Sequence, residues 1–233
     1  MMKKYAVIVA GGTGARMGSA VPKQFLPVLG RTLLWYTVRA FLEAYDDMQA
    51  ILVLPVDTKQ WGEELLRRFA DSDRVQVVAG GITRFHSVQN GLGRIEGEGM
   101  VFVHDGVRCL VTPELIRHCY EEALSRGNAV PAVAATDSIR LIDDEGSIVA
   151  DRNRVRLVQT PQTFRASVLV PAFQQEYTTD FTDEATVVEA MGHEIFLVEG
   201  DPQNIKITRP ADLLVAAQLL RERGWKAAGA ETY

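Results

Sequence analysis

The chain alternates short apolar runs with longer segments of helical period. Tyr5–Ala10, Ala50–Leu54, Val75–Ala79, Met100–His104 and Ala129–Ala134 are compact apolar stretches and predict buried strands. Thr32–Tyr45, Thr58–Phe69, Arg84–Ile95 and Pro113–Ser125 predict helices. In the last of these, Leu115, Ile116, Cys119 and Leu124 fall roughly on one face, with Thr112 as the cap and Pro113 in the first turn. Strand then helix, repeated, implies right-handed crossovers. The expected fold is α/β, a Rossmann-like, mostly parallel sheet with helices on both faces. Ligands of such sheets bind beyond the carboxyl ends of the strands.

The alternation breaks after Thr136. Ser138–Leu141 and Ser147–Ala150 flank Asp143-Asp144-Glu145-Gly146, a hairpin turn signal, and Val155–Thr160 predicts a further strand. Residues 137–160 therefore read as a β-arm inserted in one domain spanning 1–233. We expect the arm to cross to a second subunit, as part of a homodimer; a simple extension packed on its own chain is the alternative. The alternation then resumes with a helix at Asp183–Met191, strands at Glu194–Glu199 and Ile205–Thr208, and a last helix at Pro210–Arg223. The tail from Ala227 is expected to fray.

Composition narrows the classes. With 233 residues, 47% hydrophobic and 24% charged, the chain is an ordinary globular sequence. At that length it buries roughly 70% of its unfolded surface without a disulfide or metal staple. No stretch approaches the ~20 apolar residues of a membrane span. The basic start before Tyr5–Ala10 superficially resembles a signal peptide, but the apolar run is short and leads into glycines, so a first strand and a cytoplasmic location are expected. Four histidines and two cysteines show no C-x-x-C or H-x-x-x-H spacing, which excludes zinc-finger frameworks. A net charge of −5 argues against a nucleic-acid partner.

The charge is also unevenly placed. Residues 1–42 hold six basic residues (Lys3, Lys4, Arg16, Lys23, Arg31, Arg39) and no acidic one, while the remaining 191 carry −11. A basic segment on an acidic chain suggests a local site for a compact anion. The first strand runs there into Gly11-Gly12-Thr13-Gly14-Ala15-Arg16-Met17-Gly18. Glycines let the backbone approach a ligand and aim successive N–H groups at an anion. A dinucleotide fingerprint would need Gly or Ala at 17 and an acid ~20 residues on; position 17 is Met and the first carboxylate is Glu43. A P-loop would need Gly-Lys-Ser/Thr, which is missing. What remains is a glycine loop containing Arg16, followed by Lys23 between Pro22 and Pro27. Two cations on a proline-stiffened turn suit a triphosphate.

The pattern A-G-G-x-G-x-R-M-G…P-K-Q resembles the signature loop of sugar-nucleotide pyrophosphorylases and related nucleotidyltransferases. Six further motifs follow in order: Gly80-Gly81-Ile82-Thr83-Arg84-Phe85-His86-Ser87-Val88, Val103-His104-Asp105-Gly106-Val107-Arg108, Asp151-Arg152-Asn153, Gln159-Thr160-Pro161-Gln162, Thr182-Asp183-Glu184-Ala185 and Asn204-Ile205-Lys206-Ile207-Thr208. Together they are similar to the 2-C-methyl-D-erythritol 4-phosphate cytidylyltransferase family, over residues 5 to about 220.

The resemblance implies a transfer between CTP and a sugar-alcohol phosphate, with release of pyrophosphate. It assigns Arg16, Lys23, Arg152 and Lys206 to catalysis. Ala10, Gly11, Gly12, Gly14, Gly81, Ser87, Asp105 and Gly106 would hold CTP, with Asp105 on a phosphate-bound Mg²⁺. Arg108, Ser138, Arg152, Thr160, Thr182 and Lys206 would hold the acceptor. Arg84 would brace its loop rather than touch the base, and His104 would be structural. Asp183 and Glu184 would either hold a hydroxyl or cap the next helix. The chain departs from the commoner pattern at Gly106 and Cys109, where Ala and Pro are frequent, at Ile82, where a polar residue is commoner, at Ser138, commonly Thr, and at Arg140, frequently Lys. The competing readings are a ribitol 5-phosphate cytidylyltransferase, another nucleotidyltransferase using UTP or GTP, and a catalytically silent nucleotide-binding dimer.

Overall fold

The computed structural model describes residues 2–11, 21–144 and 146–227. Its strands are β1 (Lys3–Val9), β2 (Pro27–Val28), β3 (Arg31–Thr32), β4 (Met48–Leu54), β5 (Val75–Ala79), β6 (Gly99–Asp105), β7 (Asn128–Ala134), β8 (Ile139–Asp143), β9 (Gly146–Ala150), β10 (Arg156–Val158), β11 (Gln162–Arg165) and β12 (Leu197–Glu199). Its helices are α1 (Leu33–Ala44), α2 (Lys59–Leu66), α3 (Arg84–Leu92), α4 (Pro113–Arg126), α5 (Ala166–Ala172), α6 (Glu184–Glu189) and α7 (Pro210–Glu222).

Threonines start the main helices. Thr32, Thr83 and Thr112 each accept a hydrogen bond from a backbone N–H in the first turn of α1, α3 and α4, satisfying a donor the helix cannot. Pro113 opens α4, where its missing N–H costs nothing. Gly127, at φ 97°, closes α4 in the left-handed conformation that glycine adopts freely and turns the chain into β7.

The main sheet runs β7-β11-β6-β1-β4-β5, with β10 and β12 also paired to β7. β6, β1, β4 and β5 are mutually parallel, and β12 is parallel to β7. β10 and β11 run antiparallel to their neighbours. The fold is thus α/β with a mostly parallel sheet, as the alternation predicts. Successive side chains of β1 point to opposite faces. Ala6 and Ile8 join a core with α1, α4 and α7, whereas Tyr5, Val7 and Val9 join one with α3, α5 and α6. Both faces are covered, which is why the parallel strands read as unbroken apolar runs.

Three features differ from expectation. Ile205–Thr208 is not a strand: Ile207 is fully buried and its N–H donates to Val107 O, so the segment docks on the loop after β6 instead of a sheet edge. Val155–Thr160 shortens to β10, because Gln159 and Thr160 turn inward and are buried. β11 and α5 carried no sequence signal, being a four-residue strand after Pro161 and a seven-residue helix containing Pro171. The hairpin forms near its expected place as a separate two-stranded sheet of β8 and β9.

Candidate active site

The chain runs β1, β4, β5 outward in one direction and then returns to place β6 on the other side of β1. That reversal opens a crevice at the strands' carboxyl ends. Val9 and Asp105, the last residues of β1 and β6, are register partners across it. The loops leaving the strands extend the ladder before diverging: Ala10 N donates to Val53 O (3.0 Å), Gly80 N to Leu54 O (2.7 Å) and Gly106 N to Val9 O (2.8 Å). Between them lies a cleft of ≈ 380 Å³.

Of the sequence-derived candidates, Ala10, Gly11, Lys23, Gly81, Ser87, Asp105 and Lys206 line this cleft. Gly12, Gly14 and Arg16 lie outside the described residues. Lys23 opens a 3₁₀ turn, Lys23–Phe25, anchored by the buried Phe25. Ser87 sits one turn into α3; its hydroxyl accepts from Gly81 N (3.1 Å) and donates to Thr83 O (2.9 Å), so it shapes the Gly80–Thr83 loop.

Asp105 is the electrostatic centre. Lys206 Nζ is 2.9 Å from its Oδ2, Arg108 Nε 3.5 Å from the same oxygen, and Arg84 Nε 3.5 Å from Oδ1. Burial alone would raise the Asp105 pKa, but Arg84, Lys206 and Arg108 together outweigh it and hold the carboxyl well below the usual range. Asp105 therefore stays ionised throughout the physiological range. Glu184 and Asp105 keep the Arg84 guanidinium firmly protonated despite its partial burial.

A buried network sets the height of this carboxylate. Thr160 Oγ1 accepts from Asp105 N (3.1 Å) and lies 3.0 Å from His104 Nδ1. His104 Nε2 lies 3.3 Å from the Arg108 carbonyl. The only tautomer serving both contacts carries its proton on Nε2, so Thr160 donates to Nδ1. Burial pushes the His104 pKa down to about 3, against the pull of Asp105, so the ring is neutral and structural. Asn204 Nδ2 donates to Thr160 O (2.8 Å), and its own backbone carbonyl accepts from Arg108 Nη1 (2.8 Å). Gln159 Nε2 donates to Asp201 O (2.8 Å), fixing the turn that delivers Lys206. Gln159 and Asn204 stood inside recognised motifs with no role assigned; their signal was the unusual pairing of amide side chains with the Thr160 and Lys206 segments.

The acceptor candidates divide. Lys206 is in the cleft. Thr160 is buried and engaged by His104 and the Asp105 backbone, so the structure does not place it on the cleft surface. Arg108 is mostly buried and committed to Asn204 and Asp105; Gly106, expected at CTP rather than at the acceptor, is packed between Ala10 and Leu34. Thr182 is exposed just before α6. Ser138 and Arg152 are exposed at the arm, where Arg152 Nη1 donates to Thr136 O (2.9 Å). Asp183 caps α6 with a reciprocal bond from Thr186, while Glu184 pairs with Arg84. Ile82, 92% exposed, and Pro55 add two apolar residues to the cleft that motif reading had not placed there.

Residues 4–222 match the family model described as 2-C-methyl-D-erythritol 4-phosphate cytidylyltransferase. A protein of that name from Phocaeicola vulgatus is 47% identical over 219 residues, covering 94% of this chain and all of the relative. One from Bacteroides thetaiotaomicron is 48% identical over 220 residues, again 94% and 100%. Among solved structures, the Thermus thermophilus protein of the same name superposes with a TM-score of 0.72 at 31% identity, covering 95% of this chain and 100% of that one. The 4-diphosphocytidyl-2C-methyl-D-erythritol synthase of Anaerococcus prevotii reaches a TM-score of 0.81 at 26% identity, over 94% and 96%.

Proposed function

The chain belongs to the 2-C-methyl-D-erythritol 4-phosphate cytidylyltransferase family, and we propose that its reaction takes place in the cleft between β1 and β6. It is a nucleotidyltransferase that joins CTP to 2-C-methyl-D-erythritol 4-phosphate, giving the cytidine diphosphate alcohol and pyrophosphate in isoprenoid precursor synthesis. A phosphate oxygen of the acceptor attacks the α-phosphorus of CTP in line. The bond from that phosphorus to the bridging oxygen breaks, and pyrophosphate leaves. A phosphate monoester is already ionised, so no side chain need form a covalent intermediate. The obstacle is repulsion between two anions, and positioned cations are the means of lowering it.

One observation carries the residue assignment: Lys23, Gly81, Asp105 and Lys206, from four separate motifs, line the same cleft at the sheet's carboxyl edge. Lys23 faces the triphosphate, with Arg16 assigned beside it from the glycine loop. Gly11, Gly12 and Gly14 supply backbone N–H groups to the phosphates. Ala10, Gly81 and the loop held by Ser87 receive the nucleoside. Lys206 and, from the arm, Arg152 hold the acceptor phosphate, with Ser138 and Thr182 near its hydroxyls. Thr160 and Arg108 act indirectly, by fixing Asp105 and Asn204.

Mg²⁺ fits this site in one form. No group of three or more potential ligating side chains occurs among the described residues, but Asp105 offers the cleft one carboxylate whose pKa is held below the usual range. Mg²⁺ is commonly held by one or two carboxylates plus substrate phosphates. Asp105 would hold it, and the ion would supply charge neutralisation on the phosphates.

The arm supports a homodimer. Ile142 and Val149 are 85% and 74% exposed on a hairpin that pairs with no other strand among the described residues. Leu157 and Val158 add exposed apolar surface on β10. An isolated hairpin is marginal in water, so a partner's surface is the natural cover for these side chains. In such a dimer Arg152 would serve the partner's cleft. The two free, buried cysteines suit a reducing compartment, which supports a cytoplasmic location.

The test is pyrophosphate release from CTP and Mg²⁺, with methylerythritol phosphate and ribitol 5-phosphate side by side. Preference for methylerythritol phosphate is expected. Preference for ribitol phosphate would overturn the acceptor half of the assignment. Release with neither would favour a chain that only binds nucleotide.

A further inference from the structure

Glu184 is fully buried and touches no part of the cleft surface, yet it is tied to a residue that does. Both of its carboxylate oxygens are taken by Arg84: Nη1 to Oε1 at 2.5 Å and Nη2 to Oε2 at 3.0 Å. Arg84 opens α3 directly after the Gly80–Thr83 loop, and Glu184 opens α6 directly after Thr182 and Asp183. One ion pair therefore joins the nucleotide loop to the acceptor-side turn. An apolar seam runs beside it: Phe85 stacks on Phe181, with centroids 5.7 Å apart, and on Phe173 at 4.7 Å. That seam already holds the two segments together, and buried ion pairs are often no more stabilising than apolar packing. Burial pushes the Glu184 carboxyl up and Arg84 pulls it back, so a carboxylate held here by the Arg84 fork calls for a reason beyond cohesion.

The reason lies in how Arg84 meets Asp105. A two-point fork fixes the plane of a guanidinium. With both terminal nitrogens held by Glu184, Arg84 presents only its Nε edge to Asp105, at 3.5 Å, while Lys206 approaches to 2.9 Å. Glu184 makes the hydrogen bonds that hold the terminal nitrogens away from Asp105, with Asp183 contributing only a more distant charge.

We propose that Glu184 is a positioning residue for the transfer: by gripping Arg84 it sets the spacing between the nucleotide loop and the Thr182 turn, and leaves Asp105 to Lys206 and the reactants. The proposal rests on the assignment of the cleft to CTP and the acceptor. Glu184→Gln removes the charge and keeps the shape; Arg84→Lys keeps the charge and loses the fork. For each, kcat, the acceptor KM, calorimetric CTP affinity and the melting temperature are measured beside wild type. A loop displaced by an ångström can cost on the order of 100-fold, so kcat in Glu184→Gln is expected to fall by about 10- to 100-fold. Because Ser87 still holds the Gly80–Thr83 loop, the displacement falls on the Thr182 turn: the acceptor KM rises as well, CTP affinity stays near that of wild type, and Arg84→Lys falls between. A folded Glu184→Gln enzyme with wild-type kcat and acceptor KM, whatever its melting temperature, would mean a structural pair only and overturn the proposal. If Glu184→Gln does not fold, Arg84→Lys decides by the same split. Unchanged turnover and CTP affinity in Lys23→Ala would overturn the cleft assignment instead, and the proposal with it.

Discussion

Lys23 and Arg152 stand at opposite ends of the proposed reaction. Lys23 lines the cleft, whereas Arg152 is exposed on the arm. Loss of a charge contact made in the transition state typically costs about 3–4 kcal/mol. Lys23→Ala should therefore lower kcat by two orders of magnitude or more while circular dichroism shows the fold intact; near-normal turnover would remove Lys23 from catalysis. Arg152→Ala should raise the acceptor KM far more than the CTP KM, and equal damage to both would count against its acceptor role. His104 makes a different prediction. The unfolded chain binds a proton as pH falls through ~6.5, but the folded ring does so only near 3. The unfolded state thus binds more protons in that window, and stability must fall as pH drops from 6.5 towards 4. The limiting slope is about 1.4 kcal/mol per pH unit. Asp105, with its pKa depressed, adds a loss of the same sign below about pH 4. Glu184, its carboxyl pushed up by burial, titrates with the opposite sign above the usual carboxylate range, so urea midpoints at pH 6.5, 5.5 and 4.5 are compared between wild type and His104→Gln; the same pH dependence in both would contradict a buried neutral ring.

Among the elements, the Gly80–Thr83 loop shows how packing dictates residue type. A Cβ at Gly81 would lie 2.4 Å from the His86 Cβ and 2.9 Å from the His86 carbonyl carbon, at the start of α3. The glycine is there because the loop lies flat on the helix it feeds. Gly81→Ala must push the loop outward, at a cost of about 1–3 kcal/mol for overpacking. The expected result is a lowered melting temperature together with a CTP affinity reduced several-fold by calorimetry; unchanged affinity would show that the loop does not receive the nucleoside. The elements that escaped sequence reading, β11 and α5, escaped for a physical reason. They are short, one follows Pro161 and the other contains Pro171, and their stability comes from β6, β7 and α6 rather than from local propensity. The predicted strand at Ile205–Thr208 failed in the opposite way: its apolar alternation is real, but Ile207 fills the core beneath the loop after β6.

For the assembled protein, the arm is where chain and function separate. Its exposed apolar residues have no cover within the described residues of one chain. On the proposed dimer, Ile142→Asp with Val149→Asp shifts sedimentation from dimer to monomer and lowers specific activity by withdrawing Arg152 from the partner's cleft. A monomer of full activity would place Arg152 in its own chain's site.

What could be read along the chain were features that depend on near neighbours. Strand and helix periodicity, the Thr112 cap and the hairpin turn each occupy a few adjacent residues, and the order of motifs carried the family resemblance. What could not be read were the pairings that the crossovers bring about. Arg84 and Glu184 are 100 residues apart, and Thr160 reaches the Asp105 backbone across 55. The three cations around one carboxylate come from α3, the loop after β6 and the segment before α7. Their meeting depends on β6 returning beside β1, a choice made by the burial of whole strands and helices, which no local pattern of residues encodes.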